Sequence, residues 1–202
     1  MTPPGTFERV YSALKDKLRR GLLKPGERLE PAALSGELFA SVTPIRDALH
    51  RLTGERLVEA PRQEGFRVPL LSENRLRHLY AWHRDLLLLA LMRRRRIAPL
   101  HGLEDPDSAP LGAHEQRRAL FVALARATGN PEHVLALESV AERLEPLERL
   151  EEMLLDEVEQ ETAAIADALR AGDMRQLRKQ LLGYHRRRER IVPDLLARLE
   201  GP

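Results

Sequence analysis

From Ser72 to the C-terminus, apolar residues return every three or four positions, while only residues 57–69 alternate with a period of two. A chain patterned this way buries its apolar side chains as packed helices with one small β element among them. Composition agrees: leucine, alanine, arginine and glutamate predominate, and aromatic residues make up 4% of the 202 residues. That length supports a substantial core, in one large domain or two small ones.

Phe7, Val10, Tyr11, Leu14 and Leu18 recur at helical spacing, with Thr6 placed to cap a first helix and Gly21 to end it. Lys24-Pro25-Gly26-Glu27 is a tight turn. Pro31 suits the first turn of a short second helix carrying Leu34 and Leu38. Thr43 reads as the cap of a third helix, with Pro44 its first residue and Ile45, Ala48, Leu49 and Leu52 its inward face. Residues 57–61 and 65–69 then read as two short strands around the polar turn Arg62-Gln63-Glu64. Three short helices and a hairpin make a winged helix-turn-helix over residues 1–71.

Residues 72–202 read as an antiparallel helical bundle, so the expected fold class is mainly α. Ser72 caps a long helix with Leu76, Leu79, Tyr80, Leu86, Leu87, Ala90 and Leu91 on its apolar face, ending before Ala98-Pro99. The proline- and glycine-bearing stretch 99–112 is expected as a loop. Further helices are expected at about 113–128, 131–145, 147–171 and 173–200. Gly172 suits a left-handed position after a helix, Asp173 caps the next, and Pro193 kinks or shortens the last.

Several function classes fall away. The chain has no cysteine, which excludes disulfides and thiolate metal sites. Met1 to Gly5 lacks the basic and apolar regions of a signal peptide, and the apolar run Leu86–Met92 is far short of the roughly 20 residues that cross a bilayer. A cytoplasmic protein without membrane contact is expected. Residues 1–75 hold 13 Lys and Arg against 10 Asp and Glu, a net +3, and the remainder holds 20 against 21, a net −1. Net charge alone does not identify a nucleic-acid binder, so the placement of the basic residues has to.

A helix that enters the major groove presents polar and cationic side chains at its leading end while its other face stays packed. Residues 41–52 fit that demand. Ile45, Ala48, Leu49 and Leu52 share one face, and Ser41, Thr43, Arg46 and His50 fall on the other face or at the start. Ser41, Thr43 and the free amides of the first turn suit phosphate, and Arg46 suits a guanine or a two-point phosphate clamp. In the wing, Arg62, Arg67 and the backbone at Gly65 are placed for a minor-groove or phosphate contact.

The blocks Lys24-Pro25-Gly26-Glu27-Arg28-Leu29 and Thr43-Pro44-Ile45-Arg46-Asp47-Ala48-Leu49, followed by Arg51-Leu52, Leu57-Val58 and Gly65-Phe66-Arg67-Val68, resemble the GntR family of bacterial regulators. The resemblance runs over residues 7–69 and implies binding to a double-stranded DNA operator, expected to be palindromic. One departure is Val42, where family members usually carry an arginine before the Thr-Pro pair.

The helical remainder resembles the FCD effector-binding domain of the FadR branch, through Leu79-Tyr80 with Arg84, Leu124 to Asn130, and Ala168 to Asp173 followed by His185. The resemblance implies a homodimer and a small carboxylate effector. It also implies a divalent metal held by one Asp and three His, but those positions fall on Arg117, Phe121, Thr162 and His185. One imidazole among them does not make a metal site, so no metal and no cofactor is expected. Arg84, Arg117 and His185 are the candidate effector contacts. Arg117 would pair directly with an anion, or lie on the surface. The loop at 99–112 stands where relatives carry a further helix, so the domain looks trimmed.

Other features read more plainly. The run Arg93–Arg96 suits a helix C-terminus. Trp82 is expected in a core or interface, and the remaining histidines on the surface. Glu148, Glu151, Glu152, Asp156 and Glu157 form the one carboxylate cluster. They alternate with apolar residues as a solvated face does, without a Glu-x-x-His spacing, which argues against an enzyme. The expectation is a dimeric repressor responding to a small organic acid. The alternative is a regulator or protein-interaction module that works without metal or effector.

Overall fold

The computed structural model describes residues 5–93 and 112–200. These form two compact units: residues 5–72 with 145–147, and residues 73–93, 112–144 and 148–200. No helix among the described residues is long and apolar enough to cross a membrane.

The first unit contains α1 (Thr6–Arg19), β1 (Arg28–Leu29), α2 (Pro31–Leu38), α3 (Val42–Gly54) and β2 (Phe66–Arg67). Helix α1 packs on α3, and α2 packs on α3. Val10 and Leu14 of α1 and Ile45, Leu49 and Leu52 of α3 are fully buried. Burying each such side chain is worth about 1.5–3 kcal/mol, so these stripes set the angle at which α3 is presented.

Three local readings change. Gly5, not Thr6, precedes the first turn of α1, and Thr6 is already helical. Helix α3 starts two residues earlier than expected: Ser41 is its N-cap residue, and Val42, Thr43 and Pro44 fill its first turn. The wing is also not a plain hairpin. Glu59 makes a single bridge to Arg67, while β2 pairs antiparallel with β1 in the register Arg28↔Arg67 and Leu29↔Phe66. Residues 28–29 therefore supply a strand that two residues of pattern could not announce.

The second unit comprises α4 (Glu73–Arg93), α5 (Ala113–Arg126), α6 (Pro131–Leu144), α7 (Glu148–Leu154), α8 (Val158–Arg170), α9 (Met174–Arg190) and α10 (Val192–Glu200). Helix α4 lies against α5, α6 and α9, and α8 lies against α5 and α9. The expected helices 147–171 and 173–200 are each divided. Between α7 and α8, Glu157 takes a left-handed conformation with φ 57°. Between α9 and α10, Pro193 cannot donate to the Glu189 carbonyl four residues back, and Arg77 Nη1 donates to that carbonyl instead at 2.9 Å. Asp173 caps α9 as expected, its carboxylate accepting from the Gln176 amide at 2.9 Å. Of the loop expected at 99–112, residues 99–111, with His101, lie outside the described residues, as do the arginines 94–96.

Candidate nucleic-acid interface and buried polar cluster

Helix α3 separates its two faces cleanly. Ile45, Ala48, Leu49 and Leu52 are buried, and Ser41, Val42, Thr43, Arg46, Asp47 and His50 are exposed. Ser41 has no capping bond from its own side chain, so its hydroxyl is uncommitted within the helix start. Arg46 is exposed and has no hydrogen-bond or ion-pair partner among the described residues. The neighbouring Asp47 adds a negative charge that a phosphate would avoid and that can accept a hydrogen bond from a cytosine amino group. Arg51 faces the other way: its guanidinium sits 4.0 Å from the Tyr11 ring centroid and pairs with Glu8 and Glu55. His50 meets the Phe66 ring edge-on at 4.9 Å, which ties the exposed face of α3 to the wing strand.

The α2–α3 turn is fixed from α1. Arg9 Nη1 donates to the Leu38 carbonyl at 2.8 Å, and its Nη2 donates to the Phe39 carbonyl at 3.1 Å. Ser35 Oγ donates to the Ala40 carbonyl at 2.6 Å. Phe39 itself is left-handed, with φ 48°, and is 88% exposed.

In the wing, Arg62 is exposed, and Gly65 has φ +76°, a conformation that glycine adopts without strain. Arg67 is more engaged than its sequence position suggests. Its Nε donates to Glu59 at 3.3 Å and its Nη1 to Glu64 at 3.1 Å. Arg28, which follows the turn at residues 24–27, lies across from Arg67 and is exposed, with its Nε 2.6 Å from Glu30.

The second unit holds a buried polar cluster. Arg117 and Arg188 are 2% and 0% exposed, so the expectation of a surface position for Arg117 is corrected. Arg188 Nε donates to Glu151 at 2.7 Å, and its Nη1 donates to Glu161 at 2.8 Å. Its guanidinium stacks 3.6 Å from the centre of the Tyr184 ring. Tyr80 donates to the other Glu151 oxygen at 2.6 Å; burial and the Glu151 charge push that phenol well above its usual pKa. Glu151 is therefore no part of a solvated carboxylate face.

Arg117 is poorly supplied with partners. Its Nη1 donates to Thr162 Oγ1 at 3.2 Å, its guanidinium lies 5.4 Å from the Tyr184 ring centroid, and its buried Nη2 has no acceptor. Arg84 stands apart at the unit's edge, paired with Glu189 at 3.0 Å and Asp85 at 3.2 Å.

His83 and His185 are both buried, with His83 Nδ1 2.9 Å from His185 Nε2. His185 Nδ1 lies 2.7 Å from the Leu181 carbonyl, an acceptor, so that nitrogen carries the proton. His185 Nε2 then accepts from His83 Nδ1–H. Burial holds both imidazoles neutral, with His185 lowered to about 3 and His83 well below the ordinary value. His133, also buried, donates to the Leu86 carbonyl at 2.8 Å. Two of the histidines expected on the surface are thus core residues.

The positions that the resemblance assigns to a metal converge here. Arg117 touches Thr162, the Phe121 ring lies 5.3 Å from that of His83, and His83 bonds His185. The chemistry does not fit a cation: a guanidinium and a phenyl ring stand where ligands would be needed, and among the described residues no group of three His, Asp or Glu is arranged to hold one.

Residues 6–68 match the model of the gntR family of bacterial regulatory proteins. The chain is 37% identical over 70 residues to the HTH-type transcriptional repressor GlaR of Escherichia coli K12, covering 35% of this chain and 32% of that protein. It is 31% identical over 132 residues to the Nta operon transcriptional regulator of Aminobacter aminovorans, covering 60% and 63% of the two chains. The E. coli regulator McbR is 34% identical over 82 residues, covering 41% of this chain and 37% of McbR. Its solved structure covers 96% of this chain and all of that one, with a TM-score of 0.67 at 21% identity, which shows a shared fold. The chain spans less than two thirds of the length of these sequence relatives in its matched stretches. Residues 6–68 are thus similar to the gntR family of bacterial regulatory proteins, and the mainly helical chain shares the fold of the McbR structure.

Proposed function

We propose that the protein is a dimeric transcriptional repressor that binds a palindromic operator through its gntR-family head. The observation that carries this reading is α3: an inward face wholly buried, and an outward face on which Arg46 stands exposed and unpaired among the described residues. Ser41, Thr43 and the first-turn amides suit phosphates beside it. His50, Arg62, Gly65 and Arg67 extend the contact along the wing, with Arg67 first having to leave Glu59 and Glu64. Homodimerisation through the FCD-like helical unit is supported by Trp82, Leu89 and Met92, which share an exposed face of α4. Selection of bound sequences from random duplex DNA with the purified protein is expected to return a two-fold symmetric consensus. Arg46→Ala should then weaken binding to it by about tenfold or more while leaving the fold unchanged, because a bidentate base contact contributes about 1–3 kcal/mol. Unchanged operator affinity would remove Arg46 from the interface.

The effector is proposed to be a small organic acid that meets Arg117, with His185 nearby and Arg84 at the rim. The support is a buried cation with no carboxylate partner and an open donor. Thermal denaturation against a panel of mono- and dicarboxylates is the test: a binder raises the midpoint of the native protein, and Arg117→Met abolishes the rise. A second reading, regulation without effector, is favoured by one observation. Arg188 already has two carboxylates of its own, Glu151 and Glu161. No midpoint shift across the panel would select it.

A further inference from the structure

Two apolar side chains stand where a DNA-reading element ordinarily spends polar ones. Val42 occupies the first position of α3 and is 36% exposed, and Phe39 ends α2 at 88% exposure. Neither is a core residue. Phe39 is also strained: a non-glycine residue at φ 48° costs on the order of 1 kcal/mol, and such strain persists where the surroundings hold it. Here Arg9 holds it by donating to the carbonyls of Leu38 and Phe39, and Ser35 holds the next residue. The chain thus fixes the backbone that carries an exposed phenyl ring, three residues before the start of α3.

We infer that Phe39 and Val42 form an apolar reader of thymine 5-methyl groups in the major groove. The inference rests on the DNA-binding reading of α3. A valine side chain offers no donor to a phosphate and no hydrogen-bond partner to a base edge, and the one apolar group on the major-groove edges is the thymine methyl. The flanks of the pair match DNA rather than a protein surface: Ser41 and Thr43 alternate with Val42, and exposed Arg46 follows one turn on. Phosphate contacts from those neighbours would hold Val42 near the base edges, with Phe39 covering the methyl from the turn.

The test uses the full chain and the site obtained by selection from random DNA. Each thymine is replaced in turn by deoxyuridine, which removes the methyl and keeps every hydrogen-bonding group. At one or two positions per half-site, the wild-type protein should lose about fourfold in affinity per methyl, the worth of one buried methyl group. Val42→Ser and Phe39→Gly should bind thymine and deoxyuridine sites equally. Phe39→Gly should at the same time raise the melting temperature by roughly 2–4 °C, since glycine relieves the left-handed strain, so loss of discrimination cannot be ascribed to unfolding. Equal wild-type affinity for fully uridylated sites overturns the proposal and leaves the DNA-binding reading standing. So does discrimination that survives in both variants, or a Phe39→Gly change in oligomeric mass without a change in thymine preference. Failure to enrich any sequence overturns both.

Discussion

Arg117 and Arg188 are both buried arginines, yet their chemistry predicts opposite responses to the same substitution. Arg188 is neutralised by Glu151 and Glu161. Arg188→Met leaves buried Glu151 with no cation and Glu161 with Arg187 alone at 3.2 Å, and should destabilise the protein by about 3–5 kcal/mol. Arg117 has one hydroxyl, one ring and an unsatisfied Nη2. Its loss also leaves Thr162 satisfied, since Thr162 Oγ1 donates to the Val158 carbonyl at 2.9 Å. Arg117→Met should therefore stabilise the ligand-free protein by about 1–3 kcal/mol, measured by urea denaturation. A destabilised Arg117→Met would mean that the guanidinium is held by more than these contacts. The histidine pair gives a pH dependence of definite sign. Above about pH 6.5 His83 and His185 are neutral both folded and unfolded. Below it the unfolded chain takes up protons that the buried pair refuses until His185 reaches about 3. Stability contributed by their neutrality is therefore present above pH 6.5 and is lost as pH falls toward 3, by about 1.4 kcal/mol per pH unit for each histidine. His185→Gln should flatten the stability profile between pH 6.5 and 4.5; an unchanged slope would place the titrating groups elsewhere.

At the scale of elements, the divided helices explain what pattern alone could not supply. Glu151 on α7 and Glu161 on α8 both reach Arg188. In one continuous helix, residues ten apart would lie about 15 Å along the axis and about 80° around it. The break at Leu155–Glu157 lets them converge, and Glu157 carries the backbone cost with φ 57°. Glu157→Gly should stabilise the protein by about 0.5–1 kcal/mol, and Glu157→Val should destabilise it by about 1–2 kcal/mol, because a β-branched residue tolerates that conformation worst. Equal stabilities would show that the bend relaxes without help from the residue. The same logic marks the limit of reading from sequence. Helix α3, its inward face and the wing glycine were legible because apolar period and turn chemistry act locally. Strand β1 was not, because two residues carry no period and pair only with a distant partner. Glu151 read as solvated, and Arg117 as either an anion contact or a surface residue, because burial of a charge depends on partners brought by other helices, as Arg188 on α9 is brought to Glu151. The convergence of residues 117, 121, 162 and 185 was visible only through a family resemblance, and His83, their fifth neighbour, gave no signal of its own.

On the scale of the whole molecule, a single winged head reads few bases, and specificity for one operator requires two heads acting together. Linking them makes the second contact intramolecular and raises affinity by about 10²–10⁴ without a new contact, provided both half-sites can be engaged at once. The exposed apolar stripe of α4 bears on this. Trp82, Leu89 and Met92 are separated by seven and then three residues, which places them on one face of a helix whose opposite residues, Leu76, Tyr80, His83 and Leu87, are buried. An exposed tryptophan in such a row is costly to leave in water and well suited to the centre of an interface. Trp82→Asp puts a charge there, so it should shift the protein toward the mass of one chain in sedimentation. Its affinity for a full operator should fall about 100-fold, while affinity for an isolated half-site, which one head reads alone, stays the same. Loss of both affinities would point to a damaged head rather than a broken dimer, and retention of dimer mass would move the interface off α4. If the half-site affinity survives and the operator affinity collapses, recognition resides in the head and its strength in the pairing, so an effector that acts at Arg117 need only alter how two copies present their heads to release the operator.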